Sequence, residues 1–105
     1  MIKLISVEEF DTTLQNNEIV LVDFWSEWCP HCLAMMPHVD SISKEMGSKV
    51  KVIKVDAGTQ TDIANKYSVR TLPTFMIFKK GELVDQFNGS TTPTELKQKV
   101  TLATK

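Results

Sequence analysis

Ile19-Val20-Leu21-Val22-Asp23-Phe24-Trp25 runs, across Ser26 and Glu27, into Trp28-Cys29-Pro30-His31-Cys32, and this stretch decides the fold. Its first half is apolar and rich in β-branched residues, without the polar alternation of a half-exposed strand. Such continuity predicts a strand covered on both faces, as in a parallel sheet. Beyond the cysteines, Leu33, Met36, Val39, Ile42 and Met46 recur at three- and four-residue steps. That spacing predicts an amphipathic helix from His31 to Met46. Pro37 lies inside it and is expected to kink it, because proline removes one helical amide and crowds the preceding turn.

Upstream, Ser6-Val7-Glu8-Glu9 has the Ser-x-x-Glu spacing of a capping box and starts a first helix at Val7, ending near Asn16-Asn17. Lys3 to Ile5 can add a short strand before it. Downstream, Val50 to Val55 reads as a strand, Thr61 to Tyr67 as a helix, and Leu72-Pro73 as a loop. Thr74–Phe78 and Leu83–Phe87, separated by Lys79-Lys80-Gly81-Glu82, read as a hairpin. Thr92-Pro93-Thr94-Glu95 opens the last helix with a capping box and a proline at its first position. Helices and strands alternate at first, and an antiparallel hairpin comes last. The expectation is one α/β domain over residues 1–105, a mixed sheet with helices on both faces.

Bulk properties narrow the function. A chain of 105 residues lies well above the roughly 40-residue limit below which staples are usually needed. Its 42% hydrophobic and 24% charged residues are those of a globular protein, and a formal charge of −1 offers no footprint for nucleic acid or an anionic membrane. No run approaches the roughly 18 apolar residues of a membrane helix. Met1-Ile2-Lys3-Leu4-Ile5 is too short for a signal-peptide apolar region, so a cytoplasmic location is expected.

The two cysteines are separated by two residues and cannot build a disulfide framework. A reducing cytosol makes such a pair catalytic or metal-binding rather than structural. Zinc needs about four ligands. Only His31 and His38 could join the pair, and His31 lies between the cysteines, which leaves Cys29, Cys32 and His38 at best. A redox couple fits better. Cys29 follows a buried strand and precedes a helix, where free amides and the positive end of the helix dipole favour a thiolate, the form that attacks disulfides. Cys32, a turn further in, is more shielded and placed to attack a mixed disulfide. Asp23 is a carboxylate in an apolar strand. A buried carboxylate raises its pKa and stays neutral, whereas an edge or capping position would leave it in water; the residues alone leave both readings open.

Val22-Asp23-Phe24-Trp25, Trp28-Cys29-x-x-Cys32 with Pro37 after it, Arg70-Thr71-Leu72-Pro73-Thr74 and Phe78-Lys79-Lys80-Gly81-Glu82 resemble the thioredoxin family over nearly the full length and in the same order. The resemblance implies the thioredoxin fold, with a central four- to five-stranded sheet and about four helices, and reduction of protein disulfides. It makes Pro73 a cis proline facing the cysteines, with the Leu72 backbone pairing with the substrate chain. By residue type alone Leu72-Pro73 is only a turn. Gly89 resembles the glycine that keeps the substrate groove open, though alone it reads equally well as a turn glycine. Trp28 resembles the exposed aromatic beside the nucleophile, and Trp25 a buried supporting tryptophan bonded to Asp56. Asp23 resembles the buried acid that takes the proton of the second cysteine. Many bacterial members carry a lysine facing that acid; here Val52 falls at its position, with Lys54 on the same strand face. Disulfide-containing proteins are the implied substrates and a donor such as thioredoxin reductase the implied electron source. No flavin or nicotinamide motif occurs, so no cofactor is expected, and the domain is expected to act as a monomer.

The interval Pro30-His31 departs from the usual Gly-Pro. His before the second cysteine resembles protein disulfide isomerase, and Pro-His resembles the oxidant DsbA. An imidazole near Cys29 favours thiolate, stabilises the dithiol and makes the disulfide more oxidising. Moving a thiol from about 8.5 to about 6 is worth roughly 1.4 kcal/mol at pH 7, or about 30 mV for two electrons. The expected potential is roughly −240 to −190 mV, between thioredoxin near −270 mV and DsbA near −120 mV. Two alternatives stand beside the reductase: an oxidase or isomerase of the same fold, and a binding module that uses the groove as a docking surface.

Overall fold

The computed structural model describes residues 6–89 and 91–105, together with the backbone of residues 2 and 3. Five strands and four helices follow in the order β1 (Ile2–Lys3), α1 (Val7–Asn16), β2 (Ile19–Trp25), α2 (Pro30–Met46), β3 (Lys51–Asp56), α3 (Thr61–Lys66), β4 (Thr74–Lys79), β5 (Glu82–Asn88) and α4 (Pro93–Ala103). A single 3₁₀ turn, Gly47–Lys49, links α2 to β3. The expected strand at Lys3–Ile5 is met at Lys3; Leu4 and Ile5 lie outside the described residues.

The sheet order is β1-β3-β2-β4-β5. β3 runs parallel to β1 and β2, while β4 is antiparallel to both β2 and β5. β2 therefore lies at the centre, and its residues from Ile19 to Phe24 are all buried. Val20, Val22 and Phe24 point into one core with Phe10 of α1 and Ile63 of α3. Ile19 and Leu21 point the other way, into a core with Met35, Val39 and Ile42 of α2 and Leu96 and Val100 of α4. A strand with apolar neighbours on both sides has no use for alternation, which accounts for the unbroken apolar run. β5, at the sheet edge, leaves Leu83 and Val84 half exposed.

Local chemistry sets the ends of the elements. Ser6 Oγ accepts the Glu9 N–H at 3.0 Å, and Thr92 Oγ1 accepts the Glu95 N–H at 3.2 Å, so the hydroxyl half of each expected capping box forms. α2 runs unbroken across Pro37; both Pro37 and Leu33, whose carbonyl loses its helical donor, are exposed to solvent. β3 is displaced one residue toward the C-terminus of its expected range, and α3 stops one residue short of Tyr67. The hairpin is tighter than expected. Lys79 and Glu82 pair within the sheet, leaving a two-residue turn of Lys80 and Gly81 with φ of +53° and +83°. Positive φ at both central positions gives the turn a twist that matches the strands it joins.

The register carries one consequence for function. Phe24 pairs with Thr74, and Thr74 with Asn88, so the end of β2, the start of β4 and the end of β5 meet on one rim of the sheet.

Candidate active site

At that rim Cys29 and Cys32 are joined by a disulfide. Cys29 is the N-cap of α2 and Pro30 its first residue, where a missing N–H leaves no helical bond unmade. The Cys29 sulfur accepts the Cys32 N–H at 3.2 Å, and the Cys29 carbonyl accepts the Leu33 N–H at 3.1 Å. A sulfur in that position receives both a helix-start amide and the positive end of the helix dipole. Cys29 is half-buried, whereas Cys32 is 1% exposed. The two sulfurs of one disulfide thus differ sharply in access. Pro30 and His31 are both exposed on the outer side of this turn.

The Leu72–Pro73 bond is cis, as the resemblance implied. Pro73 is buried, and its carbonyl accepts the Gly89 N–H at 3.1 Å. Gly89 has φ +37°, in the region that disfavours side chains, and the space where a Cβ would stand is open. The Leu72 side chain packs against the α1/α3 core, while no intramolecular hydrogen bond among the described residues engages its backbone N–H or C=O. Thr71 anchors the loop: its carbonyl accepts the Thr74 hydroxyl at 2.6 Å, and its hydroxyl accepts from Asn88 Nδ2 at 3.0 Å. These two polar partners, Thr71 and Asn88, were not singled out in the sequence, because nothing local marks either as a bridge between β4 and β5.

Asp23 is 1% exposed on the central strand, which removes the edge and capping readings. It shares a face of β2 with Leu21 and pairs with Phe75, so it faces the α2 side, toward the same interface as buried Cys32. Neither carboxylate oxygen has a hydrogen-bond partner among the described residues. Burial pushes its pKa up from 3.8 to about 7; Lys54 pulls it down, and Asp40 adds to the rise. Val52 is paired with Leu21, whereas Lys54 is paired with Asp23. The Lys54 ammonium nevertheless bonds Asp40 Oδ1 on α2, at 2.8 Å. Asp40 was missed in the sequence, where it is one more acidic residue on a helix surface.

The tryptophans require two corrections. Trp25 is half-buried rather than buried, because it is the last residue of β2 and its strand neighbour Asp56 also stands at the sheet rim. The expected Trp25–Asp56 side-chain bond is not made. The Asp56 carboxylate instead accepts the Gly58 N–H at 2.9 Å, and the two residues meet only as backbone neighbours. Trp28 is 77% exposed, as its resemblance implied. One part of its indole lies against Gly58: a Cβ there would stand 3.1 Å from Trp28 Cζ3 and 3.2 Å from Asp56 Oδ1. His38, the remaining candidate metal ligand, is exposed on α2, and no group of three His, Cys, Asp or Glu side chains able to hold a metal ion occurs among the described residues.

The family model described as Thioredoxin matches residues 1–102. The chain belongs to the thioredoxin family. Thioredoxin from Rickettsia bellii is 44% identical over 75 residues, covering 71% of either chain. Rice thioredoxin Y, a chloroplastic protein, is 40% identical over 92 residues, 87% of this chain and 55% of its own length. The chain thus spans about half the length of such plant relatives. Plasmodium falciparum thioredoxin superposes with a TM-score of 0.90 at 33% identity, covering 97% of this chain and 98% of that one. Family and fold place the Cys29–Cys32 pair at the start of a helix in a thioredoxin domain.

Proposed function

We propose that the chain reduces disulfides in other proteins, with Cys29 as nucleophile and Cys32 as the resolving thiol. The observation that carries this reading is the unequal access across the Cys29–Cys32 disulfide, with the half-buried sulfur at the helix start and its partner 1% exposed. The Cys29 thiolate attacks one sulfur of a substrate disulfide, forming a mixed disulfide and releasing the other sulfur as thiolate. Cys32 then passes its proton to Asp23 and attacks the Cys29 sulfur. The Cys29–Cys32 bond forms, the second substrate thiolate leaves, and two electrons have passed to the substrate.

A carboxyl titrating at about 7 has an affinity suited to accepting a proton near neutral pH. The unpaired Leu72 backbone and the open space at Gly89 support docking of an extended substrate chain against Pro73, through main-chain hydrogen bonds. Trp28 supplies an exposed apolar surface beside the nucleophile. The dithiol is regenerated by a separate donor, such as thioredoxin reductase. A reducing compartment, the cytoplasm, belongs to this reading, since the dithiol must be held reduced to act. The domain acts as a monomer.

A Cys32→Ser variant is expected to trap disulfide-linked substrates from an extract, and a Cys29→Ser variant to trap none and to lose insulin reduction. Trapping by Cys29→Ser in place of Cys32→Ser would reverse the two roles. Exposed His31 favours a potential above that of ordinary thioredoxins, roughly −240 to −190 mV. A glutathione titration that gives about −270 mV or lower removes the contribution assigned to Pro30-His31. The same feature supports a second reading, oxidase or isomerase, for which oxidative refolding of a scrambled substrate is the assay.

A further inference from the structure

Asp23 has no hydrogen-bond partner among the described residues, although a lysine stands directly across from it. Asp23 and Lys54 are Cα neighbours in the parallel β2–β3 ladder, so their side chains leave the sheet on the same face. Adjacent strands lie about 4.8 Å apart, within the reach of a lysine stem. The Lys54 ammonium is instead held by Asp40, in the third turn of α2. Lys54 is 17% and Asp40 46% exposed, so the pair lies toward solvent from Asp23, which is 1% exposed. Lys54 comes from β3 and Asp40 and Cys32 from α2; β4 contributes uncharged Phe75, and α4 packs into this core through Leu96 and Val100.

We propose that Asp40 is a positioning residue for the thiol–disulfide reaction: by holding Lys54 at the outer edge of the α2 interface, it leaves Asp23 without a bonded cation and free to take the Cys32 proton. The proposal rests on Asp23 being that proton acceptor. Proton transfer turns the Asp23 carboxylate and Cys32 thiol into a carboxylic acid and a thiolate. A lysine paired with Asp23 stabilises the carboxylate and makes it the weaker base. Lys54 lowers and Asp40 raises the proton affinity of Asp23, the signs this arrangement requires.

The Asp23 midpoint is read directly by carboxyl-carbon NMR titration of the oxidised protein. Asp40→Asn is expected to lower it by about one pH unit, the scale of a newly available neighbouring charge. Asp40→Glu keeps the anchor and returns the midpoint toward the wild-type value. Lys54→Met raises it, and in that background Asp40→Asn loses most of its downward effect, because there is no lysine to release. An equal downward shift with and without Lys54 means that Asp40 acts by direct repulsion and overturns the proposal, as does an unchanged midpoint in Asp40→Asn. The reaction is followed by stopped flow with 5,5′-dithiobis(2-nitrobenzoate), whose second thiolate is released when Cys32 resolves the mixed disulfide. The pH profile of that release is expected to move to lower pH in Asp40→Asn, in step with the NMR midpoint. If Asp23→Asn keeps the wild-type profile, the proton-acceptor role fails and takes the link to the reaction with it. The NMR cycle still decides whether Asp40 controls Asp23.

Discussion

Replacing Asp23 by Asn is expected to stabilise the oxidised protein at pH 8 far more than at pH 4. The Asp23 carboxyl titrates at about 7 in the folded chain against 3.8 for an ordinary aspartate, and burial on the central strand is the main cause. Between those values the folded state holds a proton that the unfolded chain has released. Stability therefore falls as pH rises through that window and levels off above about 7. At about 1.4 kcal/mol per pH unit, the ionisation of this one group destabilises the folded state by about 4 kcal/mol at pH 8. That is a large part of the 5–15 kcal/mol or so that holds a typical domain together. Asn keeps the shape and removes the titration. Its amide in a pocket without partners adds a pH-independent offset, which cancels when the variant is compared with itself at two pH values. The oxidised form prevents the thiols from titrating, and His31 and His38 are common to both proteins. Urea unfolding at half-unit steps from pH 4 to pH 8 is the assay. The gap between variant and wild type is expected to widen by about 4 kcal/mol across that range, and curves parallel to within about 1 kcal/mol would refute the assignment of a buried, partnerless acid.

Three further substitutions test other parts of the structure. Gly58→Ala places a Cβ 3.1 Å from the Trp28 ring, and exposed Trp28 is the side that yields; shifted tryptophan fluorescence and slower insulin reduction are expected, with stability changed by less than about 1 kcal/mol. Unchanged fluorescence would show that the indole does not rest on this turn. Phe10→Ala empties a fully buried site whose ring centroid lies 5.0 Å from that of Tyr67 and 6.1 Å from that of Phe78; a loss of about 3–5 kcal/mol is expected in urea unfolding. Thr92→Ala removes the acceptor of the Glu95 N–H and is expected to destabilise the protein by about 1 kcal/mol, with faster hydrogen exchange confined to the first turn of α4.

The elements whose causes lie within a few residues were legible in the sequence. Both caps, the apolar run of β2 and the turn at Lys80-Gly81 depend on local spacing, and the structure moves their ends by one or two residues. The Cys-x-x-Cys pair belongs with them, because its placement between strand and helix is a matter of chain order. α2 forms over the expected range, but its buried face is Cys32, Met35, Val39 and Ile42, and Leu33 of the expected stripe is exposed, because the sheet and not the spacing chooses which side of the helix is covered. The Lys3–Ile5 expectation was met at Lys3 alone among the described residues.

Other parts of the site depend on register. Trp25 was expected to be buried and bonded to Asp56, but as strand-end neighbours they meet through their backbones, and Asp56 turns to Gly58. Gly89 became more than a turn glycine only when the antiparallel β4–β5 ladder brought its N–H to the Pro73 carbonyl.

The sequence by itself determined an α/β chain with a reactive cysteine at a helix start, since hydrophobic period and capping chemistry act over a turn or a strand. Tertiary structure decided which groups surround that cysteine pair. Pro73 stands 41 positions beyond Cys32 and Gly89 still further, and only the sheet order carries them to one rim. The state of Asp23 was likewise open in the sequence, because its proton affinity depends on how deeply β2 is covered and on where Lys54 finds its counter-ion. Both are properties of packed neighbours from other segments, and no spacing along the chain encodes them.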